Sequence, residues 1–189
     1  MIYQNLAAYQ PPPDWHSGAP LPLYSLWFCL GSPLMTARWL PGSLWRVLLL
    51  RAFGARIGTN CRIKPGFRVK FPWRLQVGNS CWLAEDAWFD NLSFVTLGDR
   101  VCLSQGVYLC TGNHNFRSST FDLRLGSIKI SDDVWVAARA VLAPGTVVGQ
   151  GAVISLGSVV SGTISSGSIM RGNPAVLVGH RHKDFDNHI

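Results

Sequence analysis

An apolar residue returns at every sixth position through most of this 189-residue chain, and few folds tolerate that period. From Ile57 the series runs through Ile63 and Val69, then Val77, Leu83 and Phe89, then Leu97, Leu103 and Leu109. After a gap it resumes at Ile130, Val136, Leu142, Val148, Ile154 and Val160. An amphipathic helix would repeat about every 3.6 residues and would avoid so many glycines, so a helical reading fails. Four residues after each apolar position a second, mostly small slot recurs, as at Cys61, Cys81, Ala87, Val101, Ala140, Ala152 and Ser158. The unit is therefore a short strand with one large and one small inward side chain, followed by a turn.

Three units close a triangular coil of eighteen residues, giving coils Ile57 to Arg74, Val77 to Phe94, Leu97 to His114, Ile130 to Val147 and Val148 to Ser165. Two-residue insertions, Leu75 with Gln76 and Val95 with Thr96, are expected at one corner, where they leave the faces in register. Stacked coils pair their strands in parallel and bury a continuous aliphatic column, each fully buried side chain contributing about 1.5–3 kcal/mol. The expected fold is all-β, a parallel β-helix of about five to six coils with a partly helical N-terminal arm. Residues 1–56 form the arm or cap, 57–171 the β-helix with an inserted loop at 115–129, and 172–189 a tail that opens at Gly172-Asn173-Pro174. The arm is rich in Leu, Trp and Arg, and Ser43 to Arg51 reads as a helix capped by Ser43. It would cover the end of the solenoid, whose last strands would otherwise present an unpaired edge.

Charge is unevenly placed within the net +7. No Asp or Glu occurs from Trp15 to Ala84, while nine of the seventeen basic residues lie between Arg38 and Arg74. That half faces anions, such as a pyrophosphate group or an acidic membrane surface. Nucleic-acid binding would rest on charge alone, since no zinc-finger cysteine pattern, Walker A loop or dinucleotide fingerprint is present. Five cysteines without close pairing read as reduced core thiols, and no secretory signal pattern is seen, so the cytoplasm is the expected compartment. The apolar run Leu21 to Gly31 is too short to span a bilayer, which leaves a peripheral anchor on an anionic membrane open.

Between Leu109 and Ile130 the spacing is twenty-one instead of six, so about fifteen residues leave the solenoid as a loop. His114 stands where the loop departs and is the one histidine inside the repeat. Loops on rigid scaffolds commonly carry function, and a neutral imidazole can take the proton of a hydroxyl as its oxygen attacks a carbonyl. A serine nucleophile lacks the GxSxG elbow. A zinc site would need about three ligands, and His16, His180, His182 and His188 lie in the arm or tail, so no metal is expected. A β-helix that only binds or scaffolds other proteins is the alternative that periodicity leaves open.

The motifs Ile130-Ser131-Asp132-Asp133-Val134-Trp135-Val136, Ala143-Pro144-Gly145-Thr146-Val147-Val148-Gly149 and Gly172-Asn173-Pro174-Ala175 resemble the bacterial hexapeptide-repeat acetyltransferases. With Leu50 to Gly58, Phe71-Pro72-Trp73 and Leu109 to His114, the likeness narrows to the colanic acid biosynthesis acetyltransferases and extends from Tyr3 to Val178. The resemblance implies a left-handed β-helix and a homotrimer with active sites between subunits. It implies acetyl-CoA as donor and a hydroxyl of an exopolysaccharide sugar, nucleotide sugar or lipid-linked saccharide as acceptor; N-acetylation of an amino sugar nucleotide is the variant on the same scaffold. The family's catalytic histidine falls on His114. Trp135, Ala138, Leu156 and Ser161 match positions along the coenzyme, and Arg171 matches a basic position near its adenosine phosphate. On the acceptor side stand Asn91, Asn113 and Asp90, the last also a candidate to orient the imidazole. A cation expected at position 162 is glycine here, leaving Arg171 and Arg181 for the phosphate. Ala137 and Arg139 stand where relatives carry glycine.

Overall fold

A computed structural model describes residues 5–13 and 15–181; His182 and His188 lie outside the described residues. Three parallel walls enclose one column of side chains. The first wall stacks Arg56–Ile57, Leu75–Val77, Val95–Leu97, Ile128–Ile130, Val147–Val148 and Thr163–Ile164. The second stacks Arg62–Ile63, Trp82–Leu83, Cys102–Leu103, Trp135–Val136, Val153–Ile154 and Ser168–Gly172. The third stacks Arg68–Val69, Trp88–Asp90, Tyr108–Cys110, Val141–Leu142 and Val159–Val160. All fifteen positions of the six-residue series are buried, so the period does mark the core. Residues of successive coils pair in strict register, as Ile57 with Val77 and Val77 with Leu97.

The corners explain the polar half of the repeat. Asn79 Oδ1 accepts the Thr59 N–H at 2.9 Å, Asp99 Oδ1 that of Asn79 at 2.7 Å, and Asp132 Oδ1 that of Asp99 at 2.9 Å. Each carboxylate or amide thus satisfies a donor that the turn in the preceding coil leaves unpaired. The close stacking also requires glycine: a Cβ on Gly58 would lie 2.6 Å from Asn79 Oδ1.

The two-residue insertions do not sit at a corner, as expected, but lengthen first-wall strands. Leu75 and Val95 are buried and pair with each other, and Ile128 pairs with Val95 in the next coil. Ile128 and Lys129, which the period alone places in the inserted loop, accordingly run within the wall. The excursion is instead a two-stranded antiparallel hairpin, Gly112–His114 against Leu123–Leu125.

At the N-terminal end a continuous helical segment, Leu21–Leu26, a π turn at Trp27–Gly31 and Ser32–Thr36, lays Trp27, Gly31 and Met35 against the solenoid. The Trp27 indole N–H donates to Lys70 O at 3.0 Å. A second helix, Leu44–Ala52, buries Val47 and Leu50. Ser43 precedes it but does not cap it: its hydroxyl accepts the Ile63 N–H at 2.7 Å, satisfying a donor at the solenoid edge that has no strand partner. Arg46 is buried, donates to the carbonyls of Ala37 and Leu40 at 2.9 and 2.7 Å, and has its pKa lowered by burial. Arg74 donates to Leu92 O and His16 O, pinning the arm to the second coil. At the far end Ala175–His180 folds back antiparallel on Ser168–Gly172 and covers the edge of the second wall.

Candidate active site

The hairpin leaves the third wall directly after Cys110, and buried Thr111 anchors its base. The Thr111 hydroxyl donates to Asp90 O at 3.0 Å and accepts the Ser93 N–H at 2.9 Å. Beyond the strands the tip is tied by short polar contacts. Asn115 N–H donates to Asp122 O at 2.8 Å, and the Thr120 hydroxyl donates to the Asp122 carboxylate at 2.6 Å. The hydroxyls of Thr120 and Ser118 hold that carboxyl below the usual range.

His114 ends the first hairpin strand, half-buried. Its ring lies flat on Phe121, centroids 4.2 Å apart and planes 7° apart, and meets Tyr9 of the arm edge-on at 5.6 Å. Its Nδ1 is 2.7 Å from Phe121 O. A carbonyl can only accept, so Nδ1 carries the proton and Nε2 of the neutral ring is left with the lone pair. That is the tautomer a general base needs. The arm is fixed over the same tip by Asn5 N–H donating to Ser119 O at 2.8 Å. Phe121 and Tyr9 were not identified from the sequence. Neither falls within the repeat, and Phe121 shows its role only through a left-handed backbone (φ 53°) that turns its carbonyl toward the imidazole.

The other expected residues are placed as follows. Asp90 is engaged by Lys70 Nζ at 3.0 Å and the Tyr108 hydroxyl at 3.3 Å, so the orienting contact to the imidazole comes from the Phe121 carbonyl rather than from this carboxylate. Burial pushes the Tyr108 hydroxyl's pKa upward, with Cys110 and Asp90 adding to the effect. Asn113 is exposed beside His114 and accepts its backbone N–H at 2.7 Å. Asn91 is fully buried. Its Oδ1 accepts the N–H groups of Lys70 and Phe71 at 3.1 and 2.9 Å, and its amide donates to Phe71 O at 2.7 Å. It clamps one coil to the next, and contact with an acceptor would require breaking that clamp.

Trp135 stands half-exposed on the second wall, its indole N–H donating to the Ser104 hydroxyl at 3.0 Å. Below it on the same wall Trp82, Arg62, Lys64, Glu85 and Gln105 line a cleft of about 310 Å³. Ala138 and Leu156 occupy equivalent places one coil apart at the corner that follows this wall, with Gly157 N–H donating to Ala138 O at 2.9 Å. Exposed Arg171 lies in the wall's last parallel strand. Ser161 is at the next corner, after the third wall. Arg181 donates to Asp133 O at 2.9 Å. Among the described residues, no group of three or more His, Cys, Asp or Glu is gathered that could hold a metal ion.

Solved structures of hexapeptide-repeat acetyltransferases superpose on this triangular solenoid. A galactoside acetyltransferase in complex with coenzyme A aligns with TM-score 0.78 at 21% identity, covering 97% of this chain and 94% of that one. The Vibrio cholerae hexapeptide-repeat acetyltransferase VCA0836, complexed with acetyl coenzyme A, aligns with TM-score 0.77 at 20% identity over 88% and 92%. A maltose O-acetyltransferase from Clostridium difficile aligns with TM-score 0.72 at 22% identity over 87% and 90%. In sequence, the Escherichia coli K12 protein named "Putative colanic acid biosynthesis acetyltransferase WcaF" is 33% identical over 180 residues, 94% of this chain and 97% of that protein. The chain belongs to the WcaF family of acetyltransferases. No protein-family model matches it.

Proposed function

We propose that this protein transfers the acetyl group of acetyl-CoA to a sugar hydroxyl in exopolysaccharide biosynthesis, with His114 as general base. The observation that carries the reading is the Nδ1–H contact to Phe121 O, which leaves Nε2 as the basic atom on a rigidly held ring. Nε2 takes the proton of the acceptor hydroxyl as its oxygen attacks the thioester carbonyl carbon. The tetrahedral adduct then expels the thiolate, which takes the proton back from the imidazolium, so no acyl-enzyme is needed. A backbone N–H serves the developing oxyanion.

On the donor side Trp135 offers an aromatic surface to the pantetheine arm, Ala138 leaves room for it, and exposed Arg171 meets phosphate. One chain divides the expected set between two corners, with Ser161 apart from Ala138 and Leu156, which favours a homotrimer whose donor groove lies between subunits. Of the acceptor-side residues, Asn113 and Asp90 are proposed to touch the sugar, and Asn91 to support them through the wall. The acceptor is a sugar, nucleotide sugar or lipid-linked saccharide met in the cytoplasm, where acetyl-CoA is supplied.

The test is thiol release from acetyl-CoA with hydroxy and amino sugars supplied side by side, for the native chain and His114→Ala. Release dependent on the hydroxy sugar and lost in the variant supports the reading. Preference for the amino acceptor makes the protein an N-acetyltransferase. Absence of release with every acceptor leaves a binding scaffold.

A further inference from the structure

The N-terminal helical segment carries an anomaly that acetyl transfer does not use. From Ser17 to Ala37 there is no Asp, Glu, Lys, Arg or His. An amphipathic surface helix buries one face and charges the other. Here Trp27, Gly31 and Met35 are buried against the solenoid, and on the outward face Leu26, Leu30 and Leu34 recur at the same four-residue spacing. Leu21 is 75% exposed beside them. The following turn holds out Trp39 at 79%, and the second helix adds Leu44 at 70% and Leu48. An apolar outer surface of this extent, on an element already packed on its other side, calls for a covering phase.

The surroundings say what kind. The arm packs on the first coil, with contacts from its helices to the first strand of each of the three walls. The outward residue of each of those strands is arginine: Arg56, Arg62 and Arg68, all exposed. Arg62 and Arg68 are held against the wall by stacking on Trp82 and Trp88, at 4.9 and 4.6 Å. Exposed Arg51 lies one turn beyond Leu48 on the second helix. No carboxylate side chain occurs from Trp15 to Ala84; in the next coil Asp86 pairs with Arg38 at 2.6 Å and Glu85 lies 4.0 Å from Lys64, so this apolar end is bordered by an excess of cations. Leu21 to Thr36 extends only about 24 Å as helix, against a hydrocarbon core of about 30 Å. Among the described residues, no helix is long and apolar enough to cross a membrane.

We propose that this end of the solenoid docks on an anionic lipid bilayer, with Leu21, Leu26, Leu30, Leu34, Trp39 and Leu44 entering the interfacial layer. Arg51, Arg56, Arg62 and Arg68 meet lipid phosphates around them. Apolar insertion combined with cations at headgroup depth is the chemistry that holds an interfacial helix on an acidic membrane. A neutral protein groove would account for the leucines but not for the border of arginines.

The full chain is mixed with phosphatidylcholine vesicles with and without phosphatidylglycerol, and sedimented at low and high salt. Binding is expected to the phosphatidylglycerol vesicles and to weaken as salt rises. Leu30→Glu with Leu34→Glu should lower that affinity by about tenfold or more, and Arg56→Gln should lower it by less and flatten the salt dependence. Sedimentation velocity without lipid and circular dichroism are run on each variant; unchanged mass and unchanged melting belong to the expected result. Failure of the native chain to bind either vesicle at low salt overturns the proposal, as does unchanged affinity in the leucine variant. A change of oligomeric mass in that variant also overturns it, because the apolar face would then be an interface between copies of the chain.

Discussion

The walls and the hairpin hold their residues in place by opposite means. Along the walls each inner strand is paired on both sides, its parallel partners lying sixteen or more residues away, so every coil is the template for the next. In the hairpin, Gly112–His114 has one partner, Leu123–Leu125, and its tip is held by local contacts of Asn115, Ser118, Thr120 and Asp122. Damage to a wall therefore propagates through the stack, whereas damage to the hairpin stays where it is. The first arrangement supplies a rigid reference and the second aims one imidazole from it.

The strongest way to break this contrast is a charge in the column. Leu142 is fully buried between Leu109 and Val160, and Leu142→Asp should destabilise the chain by about 4 kcal/mol or more. Loss of the cooperative urea transition and of far-ultraviolet strand signal would register it. If coils on either side melted separately instead, the walls would not act as one template. His114→Ala tests the other side. The rate of acetyl transfer should fall by about 10²–10⁴ while the melting temperature stays near that of the native chain. Equal losses of activity and stability would mean that the hairpin is part of the core.

A finer probe separates the base from its support. Phe121→Ala keeps a carbonyl at that position but removes the ring beneath the imidazole and places a Cβ residue without that packing at φ 53°. Turnover should fall by about ten- to a hundredfold through loss of orientation, with KM for acetyl-CoA unchanged. Imidazole nitrogen shifts measured by NMR should show a mixture of tautomers in place of the Nδ1–H form. A retained Nδ1–H signature with normal turnover would show that the backbone alone holds the ring.

What the sequence makes legible divides along the same line. The column was readable because burial repeats in step with the chain, from Ile57 through Val160. The position of His114 was readable because the excursion interrupts that period. The orientation of its ring was not, since Phe121 O and Tyr9 reach it through a loop and an arm that follow no period. Asn91 stands on the acceptor side by resemblance alone, and only the stacked coil reveals that Lys70 and Phe71 already take up its amide. Ile128 and Lys129 show the reverse, counted with the loop although they pair with Val95 and Thr96.

Ser43 marks the joint between arm and wall, and it offers the smallest and most discriminating test. Its hydroxyl accepts the Ile63 N–H at the unpaired edge of the second wall, beneath the arm, while the helix it precedes receives no side-chain cap from it. Ser43→Ala should cost about 1 kcal/mol in urea unfolding, the worth of one hydrogen bond with its donor left unpaired. That value alone would also suit a helix cap, so Ser43→Gly decides the matter. Glycine is tolerated at an N-cap at a cost of only a few tenths of a kcal/mol, so a capping role predicts Gly to be much milder than Ala. The bond to Ile63 is lost equally in both, so the glycine variant should lose at least as much stability as the alanine one, its backbone freedom adding to the loss. A glycine variant close to the native chain would return Ser43 to the helix and leave the first edge of the wall without its partner.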